Sequence, residues 1–264
     1  MSEGMSEVVD LTVEDGVARI RFRRPNRLNA LDLAMTTGFR AVVERIVADP
    51  SVRVVVLSGE GRAFMAGGDL AYLKAATDRP RAARELIAPI HEALVALNDS
   101  GLPVLAAIQG AVAGAGLSLA LFADLVIAAG DAKLNMAYLK VGAPTDCGGA
   151  WSLTRLVGPR KAMEIAVLCE PIDAAGALAL GLVNRVVPNA DLEAETLAWA
   201  KRIASGPPLA TRLTRGLIAK ATGRDFADHL NAELEAFVAC AGTEDFEEAL
   251  DAFLGKRPPV FTGR

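Results

Sequence analysis

The feature that most restricts what this chain can become is a set of short, unbroken, β-branched runs, each closed by glycine. Val52–Leu57 runs up to Gly59, and Val104–Ile108 ends at Gln109-Gly110. A strand with one face in water alternates apolar and polar residues. A strand that is apolar at every position must be covered on both faces, as in a parallel sheet flanked by helices. Leu125–Ala128, followed by Ala129-Gly130, repeats the pattern, and Val183–Val187, although it carries Asn184 and Arg185, is read as a fourth strand. Between these runs lie helical periodicities. Met35, Phe39, Val42, Val43 and Ile46 share one face, with Asp32 placed as a cap and Asp49-Pro50 as the stop; Leu86, Ile90, Leu94 and Leu97 mark a second helix ending before Pro103. Upstream, Val8–Val13 and Val17–Phe22 alternate around Asp15-Gly16, which predicts a hairpin. Strands alternating with helices over short connections predict an α/β layered fold.

Past Pro188 the pattern is helical only, with predicted helices over Leu192–Ala204, Leu209–Ala221, Phe226–Cys240 and Phe246–Leu254. Residues 1–195 are therefore expected to form the core, and residues 196–264 a helical C-terminal domain.

Charge and cysteine usage narrow the function. The net charge is −4, with acids and bases interspersed, so no cationic face for nucleic acid is predicted. Cys147, Cys169 and Cys240 stand far apart in an odd number, which predicts neither a disulfide framework nor a metal site and suits a reducing, cytoplasmic setting. Met1–Glu7 is polar and acidic rather than basic then apolar, unlike a signal peptide. The longest apolar run, Leu117–Ala123, is too short to span a bilayer.

Two segments that follow buried strands are rich in small residues: Arg62-Ala63-Phe64-Met65-Ala66-Gly67-Gly68-Asp69-Leu70 and Gly110-Ala111-Val112-Ala113-Gly114-Ala115-Gly116-Leu117. Small residues let a backbone approach a ligand, and unpaired N–H groups at a helix start attract negative charge. Two such turns at adjacent strand ends could each aim one N–H at a single oxygen, as in an oxyanion hole. Helix–sheet packing is the alternative use of the same small residues. Neither segment fits a dinucleotide or P-loop pattern.

Taken in order, Arg27-Leu28-Asn29-Ala30-Leu31, Gly61 through Leu70, Pro103 through Gly110 with Gly114-Ala115-Gly116-Leu117, Gly148-Gly149 with Leu156-Val157-Gly158, and Gly181-Leu182-Val183-Asn184 resemble the enoyl-CoA hydratase/isomerase (crotonase) family. The resemblance implies a spiral of ββα turns with a C-terminal helical trimerisation region, assembled as a homotrimer or a dimer of trimers. It implies an acyl-CoA thioester substrate and no cofactor besides the coenzyme A that the substrate carries. It places the thioester-binding N–H groups on Gly68 and Ala115, and coenzyme A contacts near Arg27, Leu28, Ala30, Ala66 and Leu70. Asp69 is read as the cap of the following helix. Family members often add an aromatic residue and a lysine from a neighbouring subunit's C-terminus, for which Phe253 and Lys256 are the candidates.

An enolate mechanism also needs a base. Family hydratases use two glutamates; this chain has Ser118 at the first position and Tyr138 at the second. Serine can orient water but does not act as an unaided base at neutral pH. Asp146, in Gly142-Ala143-Pro144-Thr145-Asp146-Cys147-Gly148-Gly149, resembles the carboxylate of family isomerases, and one base suffices to shift a double bond. Capping of the helix near Trp151–Val157 is its structural alternative. The favoured reading is an enoyl-CoA isomerase with Asp146 as base. A hydratase in which Asp146 or Ser118 directs water stays open, as does a non-catalytic acyl-CoA-binding protein. So does a displacement like that of 4-chlorobenzoyl-CoA dehalogenases, with Asp146 as nucleophile and His91 at the place of their histidine. Packing or a surface position is the plainer use of His91. The Tyr72–Arg84 segment, with a mobile turn at Asp78-Arg79-Pro80, is expected to shape the acyl pocket.

Overall fold

The computed structural model describes residues 8–264; the Met1–Glu7 segment lies outside them. The expected hairpin forms from β1 (Val9–Glu14) and β2 (Val17–Phe22), paired antiparallel. Helix α1 (Leu33–Ala48) follows, and the Asp32 carboxylate accepts from the Met35 N–H as its cap.

The chain then repeats one unit three times: a long strand, a short strand and a helical segment. The first unit is β3 (Val54–Gly59), β4 (Ala63–Met65), α2 (Leu70–Ala75) and α3 (Arg79–Ser100). The second is β5 (Val104–Ile108), β6 (Ala111–Ala113) and α4 (Ala115–Phe122). The third is β7 (Leu125–Ala129), β8 (Lys133–Asn135), a short 3-10 turn at Ala137–Val141 and α5 (Gly149–Leu168), which is broken at Gly158. After these come β9 (Ile172–Asp173), α6 (Ala174–Ala179) and β10 (Arg185–Val187). Four helical stretches close the chain: α7 (Leu192–Ala204), α8 (Pro208–Lys220), α9 (Phe226–Ala241) and α10 (Glu244–Leu254).

The long strands line up as β1-β2-β3-β5-β7-β10, parallel from β2 onward, and the short ones as β4-β6-β8-β9. Each unit thus contributes one strand to each sheet, which is the expected spiral. The short strands occupy the small-residue segments that residue-by-residue reading takes for loops. Strands of three residues are too brief to show a period.

Both faces of the large sheet are covered, as the unbroken runs required. Val55 and Leu57 join a core with Phe39, Ile90 and Leu97. Val54 and Val56 face the other way, onto Leu192, Ala200 and Ala204 of α7. The expected boundary between residues 195 and 196 falls inside α7, and the last α7 residue packed on the sheet is Ala204. In α8 and α9 no residue is buried, while Ile218, Phe226, Phe237, Phe253 and Leu254 are largely exposed along the C-terminal helices. The turn expected to be mobile is instead a helix start: Asp78 caps α3 through the Arg81 N–H, and Pro80 sits in the first turn, where it needs no donor. Among the described residues, no helix is long and apolar enough to cross a membrane.

Candidate active site

The two small-residue turns lie against each other. Gly67 has φ +100°, and a Cβ placed there would lie 3.2 Å from the Ala113 carbonyl oxygen and 3.8 Å from the Ala115 nitrogen. At Gly116 a Cβ would fall 2.1 Å from the Met65 oxygen, so only glycine lets α4 begin this close to β4.

Main-chain accounting singles out two donors. Leu31 bridges the Gly68 segment in parallel fashion: its N–H donates to the Gly67 oxygen at 2.8 Å, and the Asp69 N–H donates back to the Leu31 oxygen at 2.8 Å. In extended chain successive N–H groups point to opposite edges, so the Gly68 N–H faces away from Leu31. It has no acceptor among the described residues. The Ala115 N–H, first in α4, has none either, while its neighbour Gly114 donates to the Asn135 oxygen at 3.0 Å. Such unpaired amides at a helix start are suited to hold an oxyanion.

One turn into α4, Ser118 is wholly buried, and its Oγ lies 2.8 Å from the Tyr138 hydroxyl. Tyr138, on the 3-10 turn, donates in turn to Asp146 Oδ1. A phenol has one proton, and it goes to the carboxylate, so Ser118 must donate to Tyr138. Burial, and then the adjacent Asp146 carboxylate, push the Tyr138 phenol far above the ordinary tyrosine range, so it stays protonated. Room for this chain of hydroxyls depends on Gly149, where a Cβ would lie 2.3 Å from Ser118 Oγ.

Asp146 does not cap α5 through its side chain. Gly148 holds the N-cap position without a side-chain bond, and only the Asp146 carbonyl serves the helix, accepting from Gly149 at 2.8 Å. Next to it, Cys147 is buried with φ +49°, and burial followed by the Asp146 charge raises its thiol far above the usual range. Burial and a raised pKa both make the thiol a poor nucleophile. His91, on α3, accepts the Cys147 N–H at Nε2, 3.1 Å away. A cleft of about 410 Å³ opens beside this loop, lined by His91, Leu94, Phe122, Cys147 and Trp151.

The residues expected to hold coenzyme A sit together on the outer rim. Arg27 is exposed at the end of a short 3-10 turn, Leu28 adopts the left-handed conformation, and the Leu28 oxygen accepts from the Ala66 N–H at 3.0 Å. Leu70 opens α2 and is half exposed. Asp69 caps α2 through the N–H groups of Ala71 and Tyr72, as expected. Burial raises its pKa, but Arg24 and those N–H bonds outweigh it and hold the carboxyl below the ordinary range. Phe253, 82% exposed, and Lys256 project from the far end of α10.

Two bracing residues lie outside those expectations. Arg24 reaches the Ala30 oxygen, Asp32 at 3.1 Å and Asp69 at 3.2 Å, tying the rim to both following helix caps. Asn29, fully buried at φ +55°, donates to the Ala63 and Phe64 oxygens at 2.8 and 3.1 Å and accepts the Arg24 N–H. Nothing local marks either residue: Asn29 stands in a segment that also carries Asn26, Arg27 and Asp32, and Arg24 among neighbouring arginines.

Two sheets wound together by strand, strand and helix, with the small-residue turns meeting between them, define a protein of the crotonase class. Comparison with known proteins makes the assignment specific. The chain belongs to the enoyl-CoA hydratase/isomerase family, whose profile matches residues 12–264. It is similar to a protein of Rhodobacter capsulatus named "Probable enoyl-CoA hydratase", 39% identical over 257 residues and covering 96% of each chain. It also resembles the 1,2-epoxyphenylacetyl-CoA isomerase of Escherichia coli, 33% identical over 98% of this chain and 100% of that one. The crystal structure of an enoyl-CoA hydratase from Polaromonas sp. JS666 superposes with a TM-score of 0.91 at 33% identity, covering 96% of this chain and 99% of its own.

Proposed function

We propose that this enzyme moves a double bond along an acyl-CoA thioester, using Asp146 as its single base. The carboxylate takes a proton from the α-carbon of a β,γ-enoyl thioester. The electron pair shifts to the thioester oxygen, where the N–H groups of Gly68 and Ala115 hold the enolate. The protonated Asp146 returns its proton to the γ-carbon, and the double bond ends conjugated with the carbonyl. Tyr138 and Ser118 steady the carboxylate without supplying a second base.

The observation that carries this reading is the hydroxyl chain from the α4 turn to Asp146, formed by Ser118 and Tyr138, the residues that stand where the family resemblance expects the glutamates of a hydratase. Vinylacetyl-CoA is the test substrate: its conversion to crotonyl-CoA is followed by the ultraviolet absorbance of the conjugated thioester. Asp146→Asn is expected to lower kcat by about 10²–10⁴-fold, the usual worth of a positioned base. Full activity in that variant would exclude Asp146 from the chemistry.

A second reading, hydration, is favoured by the names of relatives such as the Rhodobacter protein and the crotonyl-CoA hydratase of Syntrophomonas wolfei, 32% identical. Incorporation of heavy oxygen from labelled water into the product would support it. The aryl-displacement reading is weakened because the His91 Nε2 is already bonded to the Cys147 N–H.

Coenzyme A is placed along the rim of Arg27, Leu28, Ala30, Ala66 and Leu70. Phe253 and Lys256 serve the site of a neighbouring copy, in a homotrimer or a dimer of trimers whose contacts cover the exposed C-terminal apolar side chains.

A further inference from the structure

We infer that His91 is a positioning residue for Asp146, acting through the main chain of Cys147; this rests on the reading of Asp146 as the base. Asp146 sits in a loop between the 3-10 turn ending at Val141 and the start of α5 at Gly149. Few hydrogen bonds hold that loop in place. Ala143 donates to the Tyr138 oxygen at 3.2 Å, Tyr138 reaches the Asp146 carboxylate, and Gly149 closes onto the Asp146 carbonyl. The Tyr138 hydroxyl also lies 3.4 Å from the Asp146 carbonyl, the Cys147 side chain is buried in the core, and the hydrogen bond that reaches the loop from α3 is the Cys147 N–H donated to His91 Nε2 at 3.1 Å.

This bond acts at a turn of left-handed backbone. Cys147 carries a Cβ yet lies at φ +49°, and Gly148 follows at φ +75°. A left-handed residue with a side chain persists only when its surroundings impose it. The conformation decides which way the loop enters α5, and so where the preceding carboxylate points. On the His91 side the loop borders the cleft shared with Leu94, Phe122 and Trp151. His91 is itself exposed, so burial does not explain its place, and a defined bond to one N–H does.

The role fixes the state of the ring. An imidazole that accepts at Nε2 must be neutral and carry its proton on Nδ1. In that state Nε2 is not free to take a proton from substrate, which separates this role from general-base chemistry. Glutamine is the informative replacement, because its amide oxygen can reach the place of Nε2 and accept the same N–H.

Vinylacetyl-CoA isomerisation by the full-length protein tests the idea. His91→Ala is expected to lower kcat roughly ten- to hundredfold with KM within about twofold, because a misdirected base slows chemistry without loosening coenzyme A. His91→Gln should recover kcat to within about threefold of wild type, since it restores the acceptor. Amide hydrogen exchange gives a readout independent of turnover: the Cys147 N–H should be protected in wild type and in His91→Gln, and exposed in His91→Ala. Wild-type kcat in His91→Ala would overturn the proposal, as would a Cys147 amide that exchanges freely in the wild-type protein. Equal loss in the alanine and glutamine variants, with the Cys147 amide still protected in the latter, would also overturn it and make the imidazole a reacting group. Asp146→Asn run in parallel keeps the two ideas apart: full activity there removes the base, whereas a dead Asp146→Asn beside an unimpaired His91→Ala removes only the latch.

Discussion

Removing the Tyr138 hydroxyl should harm the protein mainly through the serine it leaves behind. Ser118 is fully buried, and the phenol is the only hydrogen-bond partner of its hydroxyl among the described residues. Tyr138→Phe deletes the bond to Asp146 and strands the Ser118 hydroxyl. A bond to a charged group contributes about 1.5–3 kcal/mol, toward the lower end here because Asp146 is partly exposed, and an unpartnered buried hydroxyl costs a further ~1–3 kcal/mol. Ser118→Ala alone removes one ordinary hydrogen bond, about 1 kcal/mol, and leaves the Tyr138–Asp146 bond in place. In the Tyr138→Phe background the same serine substitution removes the orphan, so it should be neutral or stabilising by about 1 kcal/mol. The double-mutant cycle is therefore expected to show a coupling of roughly 1–2 kcal/mol, with the double variant no less stable than Tyr138→Phe. Urea denaturation of the four proteins at neutral pH measures it. If Ser118→Ala costs the same in both backgrounds within about 0.5 kcal/mol, the two hydroxyls are not coupled and the relay from α4 to Asp146 is wrong.

The raised thiol and phenol of the site give a sign for alkaline pH. Folded Cys147 and Tyr138 keep protons that the unfolded chain releases above about pH 8.5 and pH 10 respectively, so stability should fall as pH rises through each of these values and be unaffected by these groups below them; denaturation midpoints that stay flat from neutral pH to about pH 10 would contradict the burial of the Cys147 thiol, and no further fall above about pH 10 that of the Tyr138 phenol. In the native protein a thiol reagent should modify the partly exposed Cys240 well before Cys147 or Cys169, both buried, as peptide mapping of the labelled protein would report. Self-association is read by sedimentation velocity: an assembly of three or six copies is expected, and a lone 27.6 kDa species at every concentration would leave the C-terminal apolar side chains without the partner assigned to them.

How much of this was legible in advance depends on the range of the interaction. The large sheet, its helices and the C-terminal helical run were readable, because burial on two faces and helical periodicity are written into neighbouring residues. Asp32, Asp69 and Asp78 can act as caps because a cap needs only a short carboxylate and the N–H groups two or three residues on; local sequence places Asp32 and Asp69 as caps, whereas Asp78, next to Arg79-Pro80, has the pattern of a turn. The second sheet was not readable from pattern, since three-residue strands such as Ala63–Met65 gain their pairing from β6, far along the chain. The same holds for the site. Asp146, Ser118 and Tyr138 were each identified as candidates, yet nothing local says that their side chains join in a line.

The sequence by itself determined that this chain folds as strand–helix layers and that two small-residue turns follow buried strands, and it offered Ser118, Tyr138 and Asp146 as candidates for the site. Tertiary structure alone decided that Gly67 abuts Ala113, that Arg24 ties two helix caps to one rim, and that His91 on α3 meets the Cys147 N–H 56 positions later. The physical reason is that a residue's identity fixes what bonds it can make, whereas the partner is chosen by the packing of elements distant in sequence. Only when α3, α4 and the loop before α5 are packed together does each of these donors meet its acceptor.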